Sequence, residues 1–229
     1  MTRKKPTFEK ISEFPLLKDK VYEAIKRRIV DLSLPPNEQL VEQRLAEELG
    51  VSKSPIREAL LGLERDGLVY TLSFKGCFVA EITAEDVKHT FQLREALEIY
   101  CLKLACETFS DEKINRIRTI LLKGGEALEG NDLDQCYTVN TEFHDALITY
   151  TNNPKIQRTY STLRDHLDRY RNIASRIWGR VGKSHQDHLL IMEALEGRDL
   201  VRSGKYMSDH LRSVLEDLLR SKEFQAFCH

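Results

Sequence analysis

Residues 45–69 read LAEELGVSKSPIREALLGLERDGLV, and this stretch decides the fold of the N-terminal part of the chain. Leu45, Ala46 and Leu49 fall on one face of a short helix, Gly50 opens a turn, and Val51 plugs it. Ser52 is a good N-cap for the next helix, and Pro55 sits in that helix's first turn, where a missing N–H costs little. Ile56, Ala59, Leu60 and Leu63 then recur at helical spacing and face a small core. The opposite face begins with Ser52, Lys53, Ser54 and Arg57. Short hydroxyls and long cations at a helix N-terminus suit phosphates and base edges in a major groove. The pattern predicts a helix-turn-helix.

The flanking sequence agrees. Gly67 ends the second helix, Leu68–Leu72 has the pattern of a short strand, Ser73–Gly76 turns, and Cys77–Ala80 returns as a second strand. This predicts a wing with Lys75 and Gly76 at its tip, where a cation beside a glycine lets backbone approach DNA closely.

Leu45–Val69 resembles the winged-helix domain of the GntR family of bacterial transcription regulators. There the second and third helices read much like L-A-x-x-L-G-V-S-R-x-P-V-R-E-A-L-x-x-L, followed by G-L-V and a basic-Gly wing. Lys53 stands where the family usually has Arg, which weakens the expectation of a bidentate guanine contact there. Leu34-Pro35-Pro36-Asn37-Glu38-Gln39-Leu40 resembles the family's Pro-Gly turn with Asn37 in the glycine's place, which implies a left-handed Asn37, a conformation that asparagine tolerates. The resemblance implies that Arg44, Ser52, Lys53, Ser54, Arg57, Lys75 and Gly76 contact DNA.

The chain of 229 residues has room for two compact domains, expected at 1–80 and 81–229. No stretch approaches the roughly 20 apolar residues of a membrane helix, and the N-terminus lacks a signal-peptide apolar region. The five cysteines are scattered and make neither a disulfide framework nor a CxxC metal site, so reduced thiols in the cytoplasm are expected. The net charge of −1 is unevenly spread: residues 1–28 hold nine Lys/Arg against four Asp/Glu. Arg3-Lys4-Lys5 and Lys26-Arg27-Arg28 form a basic arm suited to phosphates, although the first triplet reads equally well as a solvated tail.

After Ala80 the alternating pattern disappears. Thr83, with Glu85-Asp86 following, reads as a capped helix start, and Val87, Phe91, Leu93-Arg94, Leu97, Leu102 and Ala105 carry that helix to about Phe109. Further helices are expected from Ser110 to Gly130, from Asp132 to about Tyr150, and from Asn153-Pro154 to about Ile177. Two more flank the Gly197-Arg198-Asp199 turn, the last ending near Ser221. About six helices with short connections predict an antiparallel bundle, so the chain is mostly α.

Asn140 and His144 stand four apart on the third of these helices and share a face. His188 on the fifth and His210 on the sixth are brought together by the turn at Gly197. Phe143, Leu147, Leu189, Met192, Leu211 and Leu215 surround these positions, so the imidazoles point inward. Neutral imidazoles converging on one point are ligands for Zn²⁺, Ni²⁺ or a related ion. Spacing alone leaves open that each is a core histidine bonded to a carboxylate or carbonyl.

Here a second resemblance enters. Asn140-Thr141-Glu142-Phe143-His144 resembles the D/N-x-x-F-H motif of the all-helical effector domain, of the FCD type, in the FadR-like branch of the same family. His188 and His210 resemble its later histidines. The resemblance implies a divalent metal, Zn, Ni or Mn, held by Asn140, His144, His188 and His210, with His185 outside the ligand set. Asn140 replaces the usual Asp, so the ion meets four neutral ligands. Arg94 resembles the arginine of the family's R-x-x-L-E stretch. It is expected either to clamp a carboxylate effector or to form an ordinary i,i+4 pair with Glu98.

These readings imply a cytoplasmic, homodimeric regulator that binds an inverted-repeat operator, senses a small carboxylate and has no membrane partner. A dimer follows from half-site recognition, since one winged helix covers few base pairs. The alternatives are a metal-independent acyl-CoA-type sensor and a metal-dependent enzyme fused to a DNA-binding domain. The retained histidines oppose the first, and the lack of a catalytic signature opposes the second.

Overall fold

The computed structural model describes residues 17–174 and 180–227, which form a mostly helical chain with one small sheet. The chain divides into two compact units, with the main boundary between Ala80 and Glu81. Arg3-Lys4-Lys5, Ile177 and Cys228 lie outside the described residues.

In the first unit α1 (Leu17–Val30) buries Val21, Ile25 and Ile29. It is followed by α2 (Glu42–Leu49) and α3 (Lys53–Arg65), joined through Gly50 at φ 66°, a left-handed conformation that closes α2. Ile56, Ala59, Leu60 and Leu63 of α3 join Leu45, Ala46, Leu68 and Val79 in one core. Two features differ from expectation. Ser52 occupies the N-cap of α3 but makes no side-chain cap bond, and Leu49 remains 36% exposed rather than joining the core.

The wing is β2 (Val69–Leu72) and β3 (Gly76–Val79), antiparallel, with Leu72 opposite Gly76. A two-residue strand, β1 (Gln39–Leu40), pairs with the other edge of β3 and gives the order β1-β3-β2. Asn37 is left-handed at φ 65°, as the turn before β1 requires.

The second unit is a helical bundle: α4 (Ala84–Thr108), α5 (Asp111–Glu129), α6 (Leu133–Thr149), α7 (Pro154–Ala174), α8 (Arg180–Glu196) and α9 (Leu200–Arg220). A short α10 (Lys222–Phe227) follows Ser221 and adds a helix beyond the six expected. It exists because Phe224 is buried and because the Ser221 hydroxyl accepts from the Phe224 N–H. The side chains of Thr83, Ser110, Asp132 and Asp199 cap α4, α5, α6 and α9, and Asn153 accepts from Lys155 and Ile156 at the start of α7. Leu102, Ile117, Phe143, Leu147, Ile191 and Met207 form the centre of the bundle core. Leu93 and Leu189, expected inside, are 45% and 39% exposed, because they lie off the stripe that carries Arg94 and His188 inward.

Candidate metal centre and nucleic-acid interface

The bundle core contains a polar island. Helices α4, α6, α8 and α9 bring Glu98, His144, His188 and His210 together, all buried. The ligand nitrogens of the three histidines lie within 4.8 Å of one another, so the cluster could coordinate a metal ion. His144 Nδ1 lies 2.7 Å from Glu98 Oε2, and His210 Nδ1 lies 3.0 Å from Asp187 Oδ2. An ionised carboxylate only accepts, so each Nδ1 carries the proton and each Nε2 presents a lone pair. The Nε2 atoms of His188 and His210 are 3.2 Å apart, either bonded to each other or turned toward a shared cation. Phe143 stacks on His188 at 4.4 Å between centroids and fixes that ring's plane.

Two atoms argue for a missing partner at this point. Asn140 Oδ1 and His144 Nε2 are both buried and without a hydrogen-bond partner. An unpaired acceptor in a low-dielectric core is costly, and two on one helix face fit a cation between them and the other imidazoles.

The electrostatics suit neutral ligands. Burial lowers His144, and it pushes His188 well below the ordinary value with help from the neighbouring imidazoles. Burial also lowers His210 to about 4, against the opposing pull of Asp187. Glu98 is the exception: burial opposes its charge, but Arg94 and His144 hold its carboxyl far below the usual range. Its Oε1 accepts from Arg94 Nε at 2.7 Å and from the Tyr160 hydroxyl at 2.9 Å.

Beside the cluster lies a cavity of about 140 Å³, lined by Arg94, Asn140, His144 and Tyr170 together with apolar Phe91 and Leu167. Arg94 forms the expected i,i+4 pair with Glu98 and also lines the cavity. The cavity's other arginines have carboxylate partners: Arg164 with Asp145, Arg171 with Asp168, and Arg180 with Asp217. His185 packs where a side chain on Gly124 would stand and is outside the cluster. Glu98 and Asp187, as partners of the imidazoles, were missed in the sequence. The available signal was an acid next to His188 and another one turn after Arg94.

In the first unit Ser52, Lys53, Ser54 and Arg57 are exposed at the start of α3, and Lys75 and Gly76 are exposed at the wing tip. The arginines are already engaged. Arg57 Nε lies 2.7 Å from Glu42, and Arg44 lies 2.8 Å from Glu38 and 3.5 Å from Glu48. These pairs stay in solvent, where an exposed ion pair contributes little and exchanges readily.

Residues 17–79 match the model of bacterial regulatory proteins of the gntR family, and residues 89–213 match the FCD domain. The chain is similar to an HTH-type transcriptional regulator in an unstable DNA locus of Streptomyces ambofaciens, 27% identical over 87% of this chain and 84% of that protein. It is also similar to the Nta operon transcriptional regulator of Aminobacter aminovorans, 28% identical over 80% of this chain and 86% of that protein. Among solved structures it shares the fold of E. coli McbR/YncC. That match has a TM-score of 0.72 at 22% identity and covers 90% of this chain and 99% of the other.

Proposed function

Because this chain belongs to the GntR family of bacterial regulatory proteins and carries an FCD domain, we propose that a small carboxylate bound in its helical unit modulates operator binding. It is a DNA-binding regulator rather than an enzyme, as are the curated relatives it matches. In this reading residues 1–80 read DNA and residues 81–229 bind the effector and pair two copies of the chain.

The histidine cluster beside Arg94 carries the effector reading. Asn140, His144, His188 and His210 would hold a divalent metal, Zn, Ni or Mn. When bound, that ion supplies a positive anchor for an anion in the cavity. Glu98 and Asp187 orient two of the imidazoles, and Glu98 returns part of the negative charge that Asn140 lacks. Arg94 offers the remaining N–H groups of its guanidinium to a carboxylate, while Phe91 and Leu167 take an apolar body. A cavity of about 140 Å³ favours a small acid over an acyl-CoA. Membership of the family supports a homodimer in which two winged helices read an inverted repeat. No helix among the described residues is long and apolar enough to cross a membrane.

Selection from a random duplex library tests the DNA reading. The wild-type protein is expected to enrich an inverted repeat, and Arg57→Ala is expected to abolish binding while the protein stays folded. No enrichment at low salt refutes it.

A further inference from the structure

Phe74 stands at the wing tip fully exposed, at 108% of its reference surface, with φ 64°. Both facts run against its chemistry. A large apolar ring gains nothing from water, and a non-glycine residue with a bulky side chain rarely takes a left-handed backbone. Elsewhere among the described residues Asn37, Asn131 and Asn152 adopt this conformation, which asparagine tolerates, while Leu32 and Arg198 adopt it with their side chains engaged, Leu32 packed on the bundle core and Arg198 donating to the Ala105 and Phe109 carbonyls. A turn needing only the conformation would carry asparagine or glycine; this one carries a phenylalanine aimed outward.

The tip is also braced. The Lys75 N–H bonds the Leu72 carbonyl at 3.0 Å, and Gln39 Nε2 donates to the Lys75 carbonyl at 2.8 Å. Gly76, at φ 101°, closes the turn opposite Leu72, and the rings of Tyr70 and Phe78 stack across the strands below. The segment Leu68–Ala80 contains no Asp or Glu, and Lys75 is its one Lys or Arg. Glu64 of α3 accepts from the Thr71 N–H beside the wing, so the tip itself carries the apolar ring and the Lys75 cation, the combination that enters a minor groove between phosphates.

We propose that Phe74 is a DNA-contacting residue that inserts its ring into the minor groove and favours a deformable step there. This rests on the reading of the first unit as DNA-binding. Lys75 then contacts a phosphate, and Phe74 contributes sequence preference through the ease with which a pyrimidine–purine step unstacks.

The two roles separate by salt dependence. On a duplex selected by the wild-type protein, Phe74→Ala is expected to lower affinity about tenfold or more, with an unchanged slope of affinity against salt. Lys75→Ala is expected to make that slope shallower by about one phosphate contact. Phe74→Gly relieves the left-handed backbone, so its Tm is expected not to fall while its DNA affinity does. A repeat selection with Phe74→Ala is expected to lose any pyrimidine–purine preference on the flanks of the site. If wild-type protein binds its duplex and Phe74→Ala and Phe74→Gly bind equally well, the proposal is overturned. It is overturned too if their loss of affinity comes with a lowered Tm or dissociated dimer. If wild-type protein selects no duplex at all, the DNA-binding reading itself fails, which is a different result.

Discussion

In the proposed metal site Asn140 and Glu98 would divide a task that one carboxylate could perform. Asn140 brings a buried, unpaired oxygen without charge, and Glu98 brings the charge one bond further out, behind His144. Asn140→Asp is therefore expected to raise metal affinity, read by calorimetric Zn²⁺ titration. Glu98→Gln is expected to lower it by about 10- to 100-fold, because His144 loses the acceptor that fixes its tautomer. Acidity acts on the same group. His144, His188 and His210 all have folded-state values below the ordinary 6.5. Folding with neutral imidazoles thus keeps its full contribution above about pH 6.5. That contribution is lost as the unfolded chain takes up protons below this pH, down to about 4 where His210 itself protonates. Metal-free protein is expected to show a Tm falling across that window, and a His210→Asn variant a smaller fall; equal falls would remove His210 from the explanation. That three histidines meet in the core was legible in the sequence, through the helical phase of His144 and the turn at Gly197 between His188 and His210. Their carboxylate partners were not, since residues 98 and 144 meet only through the packing of α4 against α6.

Helices α3 and α4 contribute to the two candidate sites, and their sequences expose them to different degrees. The α3 pattern was read almost residue by residue, because a short amphipathic helix with a glycine turn leaves one apolar stripe and one cationic face. What the pattern did not show was the acid opposite each arginine, Glu42 for Arg57 and Glu38 for Arg44. Glu42→Gln is expected to tighten DNA binding modestly by freeing Arg57, measured as a change in operator affinity at fixed salt. The strand β1 leaves no mark in the sequence, because two residues carry no periodic signal. In α4 the run from Thr83 to Phe109 was legible, yet its inward stripe is polar at Arg94 and Glu98, which apolar periodicity does not report. At the start of α4, Asp86 accepts from the Tyr170 hydroxyl at 2.5 Å, and Tyr170 lines the cavity. A ligand that displaces Tyr170 thus acts on the first turn of α4.

Across the whole molecule, effector binding and operator binding would be coupled by linkage. An effector that prefers one dimer geometry changes operator affinity, and a coupling of about 1–3 kcal/mol corresponds to roughly 5- to 150-fold. Arg94→Ala is expected to weaken effector binding and leave operator binding without effector intact. Removal of the guanidinium also leaves Glu98 buried beside one fewer cation, so a lowered Tm is expected with it. The claim on which the effector reading depends is that the histidine cluster holds a metal. Elemental analysis of protein purified without a His-tag measures this directly. The account predicts close to one divalent transition metal per chain, lost in His188→Ala together with the stability that an occupied site confers. Wild-type protein that is metal-free and refuses Zn²⁺, Ni²⁺ and Mn²⁺ on reconstitution would contradict it.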